Sequence, residues 1–362
     1  MTISKEEIEA LEILIKHIGE SILEIPQLER YSLGYYVEDG QITGLSLFSC
    51  GLVTIPKEIK LFSSLKKIFI RGNDLSTITD ELFSLPNLEI LDLSENQLTE
   101  LPTSINLLSS LKELHLESNQ LKSLPETIGS LISLETLDLS ENKLTNIPNS
   151  IGEMQKLKTL DLSGNKITQI KNLENLSKLK KLNLSRNLIY EIKELKNLVN
   201  METLDLNSNN ISEIKGLEHL QNLKALDLSS NHIIRINGLN ELHNLEWLYL
   251  SNTQIEEIEG LDKLLNLKVL YLNRNNIKEI RGLEALKNLE VLSLVRNNIT
   301  EIRNFENLRK LRVLYLEGNR ISEIKGLKGL RLLKLFDLTD NNLPDPYDNR
   351  EYDEEELVDF TY

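Results

Sequence analysis

One sequence frame recurs along most of this chain and constrains its fold more than any other feature. The frame is L-x-x-L-x-L-x-x-N-x-L-x-x-I/L; it first begins at Ile42 and begins for the last time at Leu333. It occurs fourteen times, with 23 residues per unit in the first five units and 22 residues in the later ones. A fixed period of this length is typical of a solenoid, in which each unit packs only on its neighbours.

The spacing of the leucines predicts the structure of each unit. In the L-x-L part, apolar residues alternate with polar ones, which indicates a short strand with one buried face. One unit cannot bury that face alone, so successive strands are expected to pair in parallel over a shared core. The predicted fold is therefore an α/β solenoid of about fourteen repeats. We expect a curved horseshoe with a parallel sheet on its concave face and short helical or 3-10 turns on its convex face.

An asparagine recurs at the ninth position of the frame. Its amide has two donor hydrogens and an acceptor oxygen, which are able to satisfy backbone groups of its own unit and of the neighbouring unit. Cys50 replaces the asparagine in the first unit. Thr253 replaces it in a later unit, and its hydroxyl is expected to connect the neighbouring units more weakly than an amide. The predicted structural ladder comprises Asn73, Asn96, Asn119, Asn142, Asn165, Asn187, Asn209, Asn231, Asn275, Asn297, Asn319 and Asn341.

The ends of the solenoid need caps, because a terminal unit exposes one side of the core. We predict an N-terminal cap over residues 1–41, in which Ser4 and Glu7 form a capping box. A helix with Ile8 and Leu11 on its apolar face follows, and then a hairpin that turns at Asp39-Gly40. The solenoid is predicted over residues 42–344, with 23-residue units to about residue 156 and 22-residue units after it. Residues 345–362 are predicted to be an acidic C-terminal cap or tail.

The frame identifies the chain as a member of the leucine-rich repeat superfamily. Early units follow L-P-x-x-I, as at Leu101-Pro102, and resemble intracellular leucine-rich repeat proteins associated with Ras-type GTPases. Later units follow I-x-G-L-x-x-L-x-N-L, as at Ile258 to Leu267, and resemble the leucine-rich-repeat regulatory subunit of protein phosphatase 1. They are also similar to bacterial internalins. The unit type changes near Ile170, where we expect a change of curvature and not a domain boundary.

Composition and charge limit the classes of function. The net charge of −15 resides mainly in the ends, with −6 over residues 1–41 and −7 over residues 345–362. No basic track for phosphates results, so nucleic acid is not an expected partner. Cys50 is the single cysteine, which excludes an internal disulfide. The N-terminus lacks the basic start of a signal peptide, and no apolar run reaches the ~18 residues of a membrane helix. We therefore expect a cytoplasmic protein without a membrane segment.

Sequence signals for catalysis are absent. The chain has no phosphate-binding loop of the G-x-x-x-x-G-K type, and its five histidines do not share one repeat position. With a single cysteine, zinc sites of the Cys-x-x-Cys type are excluded. We predict a non-enzymatic protein without metal or cofactor, which acts as an interaction scaffold or regulatory subunit for a protein partner.

The candidate docking residues occupy the variable positions of the strands. Position five of the frame lies between the two strand leucines, and position three lies two residues before it; both face the concave side. In units ten to fourteen these positions become aromatic and apolar, and two arginines precede ladder asparagines. Such residue types dominate binding hot spots. The predicted docking set is Trp247, Tyr249, Val269, Tyr271, Arg274, Val291, Arg296, Val313 and Tyr315. The resemblance to the phosphatase regulator implies a phosphatase-type catalytic subunit as the partner, through Tyr249, Tyr271, Tyr315 and Asp337.

Alternatives remain open at this point. The aromatic and β-branched residues also favour strands for packing reasons alone. A secondary acidic row, Asp138, Asp161, Asp205 and Asp227, either binds local backbone groups or recognises a cation or a basic partner. A small GTPase would use the early units and Phe69 instead. We expect a monomer, with self-association through the aromatic residues as the alternative.

Overall fold

The structure is a computed structural model that describes residues 3–344 and the backbone of residues 351–352. The remainder of the predicted acidic cap or tail lies outside the described residues. The chain forms two compact units, residues 1–182 and residues 183–362, divided inside the predicted solenoid.

The first unit begins with helix α1 (Lys5–Ile18), whose start is fixed by Ser4. The Ser4 hydroxyl accepts from the Glu7 backbone and the Glu7 carboxylate accepts from the Ser4 backbone, so the capping box is present. The other Glu7 oxygen accepts from the backbone N–H of Ile42 and thereby joins the helix to the first repeat. Leu11 lies on the buried face, but Ile8 is 45% exposed, so its predicted place on that face was wrong. Ala10 occupies the buried face instead.

Strands of the first unit follow one another at the period of the frame. The hairpin pairs β1 (Leu33–Glu38) with β2 (Gln41–Leu47), and Asp39 and Gly40 both have positive φ at its turn. Parallel strands follow: β3 (Lys67–Phe69), β4 (Ile90–Asp92), β5 (Glu113–His115), β6 (Thr136–Asp138) and β7 (Thr159–Asp161). The return segments contain 3-10 helices at Lys57–Leu61, Asp80–Ser84, Thr103–Leu107, Glu126–Ser130 and Asn149–Glu153. Strand β8 (Lys181–Asn183) spans the division between the units.

The second unit repeats the same strand without the helical returns. Its strands are β9 (Thr203–Asp205), β10 (Ala225–Asp227), β11 (Trp247–Tyr249), β12 (Val269–Tyr271), β13 (Val291–Ser293), β14 (Val313–Tyr315), β15 (Leu335–Asp337) and β16 (Glu351–Tyr352). Strands β9 to β15 pair in parallel, and β16 pairs antiparallel with β15. Over residues 183–344 the returns consist of turns and bends, so the predicted helical turns occur in the first unit only.

Pairing in exact frame register stacks identical positions of successive units. Leu248 pairs with Leu270 and Leu270 with Leu292, and all three are fully buried. The leucines and isoleucines of the frame thus form a continuous core inside each unit. Both units are parallel-sheet solenoids, which confirms the predicted leucine-rich repeat fold class.

The amide ladder connects neighbouring repeats through their turns. The Asn231 amide donates to the carbonyls of Leu206 at 2.9 Å and of Leu228 at 3.0 Å. Its side-chain oxygen accepts from the Ile211 backbone N–H at 2.9 Å. One side chain therefore satisfies backbone groups of two repeats, which would otherwise be buried without partners. All twelve ladder asparagines have at most 9% of their surface exposed.

Glycine in the I-x-G-L segment explains why the returns of the second unit lack helices. Gly260 has φ +68°, and a Cβ built on it would lie 2.6 Å from the carbonyl oxygen of Ile236 in the preceding repeat. Gly238 and Gly282 have the same geometry. Left-handed backbone at this point breaks any helix and allows successive returns to approach closely. Asn304 occupies the equivalent position in a later unit and donates its amide to the Ile280 carbonyl at 2.5 Å.

The ladder predicts opposite effects for exchanges at Thr253 and Asn231. The Thr253 hydroxyl lies 2.5 Å from the Asn275 side-chain oxygen and 3.1 Å from the Leu250 carbonyl, but it has only one hydrogen to donate. We expect Thr253→Asn to raise the free energy of unfolding by about 1 kcal/mol and Asn231→Thr to lower it by about 1–3 kcal/mol. Urea unfolding followed by circular dichroism measures both. Equal midpoints for the two variants would contradict the role of the ladder.

The glycine geometry predicts a graded response at Gly260. We expect Gly260→Ala to destabilise the protein by about 1–2 kcal/mol from the left-handed backbone alone, and further because its Cβ meets the Ile236 carbonyl. Gly260→Asn should cost less, because asparagine tolerates this backbone and its amide is able to donate to that carbonyl. Gly51→Ala is the matched control, since Gly51 has φ +64° with open space around its Cβ. If Gly260→Ala and Gly51→Ala shift the thermal midpoint equally, the close contact contributes nothing.

Candidate docking surface

In-register pairing in the second unit aligns the predicted docking residues into two columns. Trp247 pairs with Val269, and Tyr249 pairs with Tyr271. The position-three column continues through Val291 and Val313. We call the surface formed by these two columns the strand face. The candidate docking surface is the part of the strand face in the second unit that is formed by Trp247, Tyr249, Val269, Tyr271, Val291, Val313 and Tyr315.

These side chains are less exposed than the side chains of an open surface patch would be. Every member of the candidate docking surface is half-buried, and none belongs to the fully exposed residues. The cause is the spacing of strands at about 4.8 Å, which brings large side chains of neighbouring strands into contact. The surface is thus a packed apolar and aromatic layer with one side open to solvent.

Tyr249 and Tyr271 form the aromatic centre of this layer. Their ring centroids lie 5.3 Å apart with planes at 89°, the edge-to-face arrangement that aromatic pairs favour. Burial raises the pKa of the Tyr249 hydroxyl, and the neighbouring Tyr271 and Asp227 raise it further. Tyr249 therefore stays a neutral hydrogen-bonding group at physiological pH.

Trp247 is held in place by a residue that sequence reasoning missed. The Lys268 ammonium lies 5.8 Å from the centre of the Trp247 ring and 2.6 Å from the Glu246 carboxylate. A cation over an indole face stabilises the ring orientation. The signal was visible, because position two of the second unit alternates Glu202, Lys224, Glu246, Lys268 and Glu290.

Ser293 interrupts the aromatic column, and the structure shows how the gap is filled. Ser293 is 2% exposed, and its hydroxyl donates to the Asn273 side-chain oxygen at 2.5 Å. That same oxygen accepts from the Val295 backbone N–H at 3.0 Å. The small Ser293 side chain thus takes part in the hydrogen bonds around Asn273. Its position in the column separates Tyr315 from the Tyr249–Tyr271 pair.

Arg274 and Arg296 lie in the turns beside the strand face, not on it. Both have positive φ, 53° and 55°, and both are exposed. Every repeat has positive φ at this position, which precedes the ladder position. Arg296 lies 3.7 Å from the Glu317 carboxylate. The two arginines therefore border the candidate docking surface at the ends of its strands.

The acidic row serves the turns in both units. In the first unit, Asp138 and Asp161 are paired on β6 and β7, and each accepts through Oδ1 from a backbone N–H two residues on. In the second unit, Asp205 and Asp227 do the same. Oδ1 of all four aspartates thus binds a local backbone group. Over the described part of the chain, no group of three His, Cys, Asp or Glu residues is placed to hold a metal ion.

Phe69, the candidate contact of the small-GTPase alternative, lies on β3 in the first unit. It is 6% exposed, whereas Tyr249 and Tyr271, which occupy the same frame position in the second unit, are half-buried. A partner therefore cannot reach Phe69 in this conformation.

Comparison with known families agrees with the fold. A model described as "Leucine-rich repeat region" matches residues 108–232, and one described as "Leucine rich repeat" matches residues 63–121. A two-copy leucine-rich repeat model matches four overlapping segments between residues 221 and 331. The chain belongs to the leucine-rich repeat superfamily, whose members generally act as protein-interaction scaffolds. A search of curated proteins gives no match.

Solved structures show the same architecture. A leucine-rich repeat protein of Leptospira interrogans is 28% identical with a TM-score of 0.78, covering 95% of each chain. An internalin of Listeria monocytogenes is 22% identical with a TM-score of 0.74, covering 95% of this chain and 91% of its own, and shows the fold alone. The leucine-rich repeat ectodomain of an Arabidopsis thaliana receptor kinase, solved in complex with CASPARIAN STRIP INTEGRITY FACTOR 2, is 26% identical with a TM-score of 0.60 over 90% of this chain and 47% of its own. No helix in residues 3–344 is long and apolar enough to cross a membrane.

The raised pKa of Tyr249 predicts a measurable effect at alkaline pH. Because its folded pKa lies above the ordinary value of 10.0, the stabilisation from the neutral hydroxyl is complete below pH 10 and is lost as pH rises through the folded pKa. The difference in tyrosinate absorbance between the wild type and Tyr249→Phe reports the ionisation of Tyr249. We expect this difference to develop above pH 10. Asp227→Asn should lower that pKa, since Asp227 is one of its causes. An absorbance difference that develops at or below pH 10 would contradict the burial of this hydroxyl.

Proposed function

We propose that this protein is a non-catalytic scaffold or regulatory subunit, and that a protein partner docks on the candidate docking surface of the second unit. The observation that carries the proposal is the juxtaposition of Trp247, Tyr249 and Tyr271 on two neighbouring strands, ordered by the edge-to-face ring contact and by Lys268. Rigid aromatic side chains with one open face lose little entropy on binding, which is the property of hot-spot residues.

The border of the surface supports recognition of a polypeptide. Apolar Val269 and Val291 lie beside the rings, while Arg274 and Arg296 lie at the strand ends and Asp227 lies beside Tyr249. An apolar centre with a charged rim is the usual anatomy of a protein interface. Packing alone accounts for the stacking of these residues but not for the arginines at their border.

A phosphatase-type catalytic subunit is the first partner to test. The reason is the resemblance of the later units to the regulatory subunit of protein phosphatase 1, carried by Tyr249, Tyr271 and Tyr315. The buried Ser293 departs from a continuous aromatic column, so the contacts around Tyr315 would be separate from those of the Tyr249–Tyr271 pair. A small GTPase is less favoured, because Phe69 is covered.

Removal of the aromatic centre should abolish partner binding without unfolding the protein. We expect Trp247→Ala/Tyr271→Ala to weaken binding of purified phosphatase catalytic subunit, or of a partner recovered from cytosol, by at least about a hundredfold, because two hot-spot truncations cost about 2 kcal/mol or more each. Isothermal titration calorimetry measures the affinity, and circular dichroism shows whether the variant is folded.

The matched control is Thr136→Ala/Asp161→Ala, which changes the same two columns on neighbouring strands β6 and β7 of the first unit. It should leave the affinity unchanged. If the control loses the partner and the aromatic variant retains it, the acidic row is the docking site and the proposal fails. If the wild-type chain instead dimerises through this surface, light scattering will show a size that increases with concentration and falls in the aromatic variant.

A further inference from the structure

The position-five column of the first four repeats is buried, and another part of the chain contacts it. The Ser46 hydroxyl on β2 donates to the backbone carbonyl of Ser32. The Arg30 guanidinium lies 3.0 Å from the Asp92 carboxylate on β4. Position five of β3, which lies in register between Ser46 and Asp92, is Phe69. Residues 30–32 therefore cross over Phe69, and we call residues 29–32 the covering segment.

Tyr31, which is 63% exposed, makes two ring contacts beside this crossing. The Tyr31 ring lies 5.4 Å from the Phe48 ring at 83° and 5.1 Å from the Arg71 guanidinium carbon. Arg71 is held from below by Glu95 at 2.7 Å and Glu117 at 2.5 Å. The position-five column of repeats one to four is buried, and the exposed fraction of Ser46 and Asp92 is 0%. The equivalent column of the second unit is mostly half-open.

Several buried polar atoms of the first four repeats and of the covering segment lack hydrogen-bond partners. Nine such atoms occur among the described residues, and five of them lie in the covering segment or on repeats two to four beside it: Arg30 Nη2, Arg71 Nε, Asp92 Oδ2, Ser94 Oγ and His115 Nδ1. Asp92 Oδ2 is near Arg30 Nε, but the geometry is not that of a hydrogen bond. Unsatisfied buried donors and acceptors destabilise the arrangement that buries them. An open cleft of about 520 Å³, lined by Pro26, Leu28 and Thr43 among others, adjoins the same segment.

We propose that the position-five column of the first four repeats is a second docking surface, which accepts a partner segment carrying an arginine next to an aromatic residue, and that the covering segment occupies it in the free protein. The chemistry of the partner follows from the resident occupant. Asp92 is a fully buried carboxylate, so it requires a cation, and its Oδ1 already accepts from the Ser94 backbone N–H at 3.0 Å. A guanidinium that donates to Oδ2 with hydrogen-bond geometry satisfies that oxygen better than the single Nε contact does. Phe48 and Arg71 offer faces to an adjacent aromatic ring.

Exchange of the covering segment is controlled by its tether. An attached segment acts at an effective concentration on the order of millimolar, so a free peptide of the same sequence competes poorly with it. A partner segment that satisfies the remaining polar atoms would bind more tightly than the covering segment and displace it. This surface is independent of Trp247 and Tyr271, so loss of the docking proposed for the second unit would leave it unaffected.

A peptide in trans tests the proposal on the full chain. The probe is fluorescein-labelled, amidated peptide of residues 28–33, and binding is followed by fluorescence anisotropy. We expect Arg30→Ala/Tyr31→Ala to bind it at least about tenfold more tightly than the wild type, because the tethered competitor is weakened. Adding Asp92→Asn should remove this binding, and a probe with alanine at both the arginine and tyrosine positions should not bind. The control variant Tyr190→Ala/Arg235→Ala, at two exposed sites of the second unit, should behave as the wild type.

A second measurement keeps the proposal testable if the double variant does not fold. In a Cys50→Ser background, the thiol introduced by Phe69→Cys reports access to the covered column through its rate of alkylation by iodoacetamide. We expect Arg30→Ala to increase that rate at least about tenfold, because a buried thiol reacts only when it is uncovered. Equal rates with and without Arg30, or peptide binding that persists with Asp92→Asn, would overturn the proposal.

Discussion

The hydrogen bonds of one amide side chain per repeat make the rest of the structure possible. A solenoid turn buries backbone groups at every repeat, and strand pairing leaves several of them without partners. The ladder asparagine donates to carbonyls of two repeats and accepts from a third backbone group, as Asn231 does with Leu206, Leu228 and Ile211. With the turn fixed in this way, the strand is short and in register, and the frame leucines meet their counterparts in the next repeat. The columns of the strand face are a consequence of that register.

Register also explains why function concentrates at so few positions. In each repeat, the leucines, the ladder residue and the left-handed residue before it are required by the fold. Positions three and five are the strand positions that remain free to vary on the open side. A change at one of them is placed directly beside the corresponding changes in the neighbouring repeats. Trp247, Val269 and Val291 therefore form one surface although 22 residues separate each from the next.

The frame alone predicts the fold class, because each of its positions has a geometric cause: period two for the strand, an amide for the turn and a stacked core. The exposure of the candidate site was less predictable. Tyr249 and Phe69 both occupy position five of the frame, yet Phe69 is buried and Tyr249 is half-buried. Beside Phe69, the Arg30–Asp92 contact joins residues far apart in sequence and has no counterpart in the repeat. Likewise, Lys268 is outside the two columns but determines the environment of Trp247. Repeat logic thus predicts contacts between equivalent positions and misses those that the caps and edges introduce.

The alternating charges at position two have a consequence for how such a chain can lengthen. In the second unit, Glu202 pairs with Lys224 at 2.9 Å and Glu246 pairs with Lys268 at 2.6 Å, so opposite charges face each other across neighbouring repeats. Duplication of a single repeat within this series would place two like charges side by side on adjacent strands, which is unfavourable. Duplication of two repeats together would preserve every pairing.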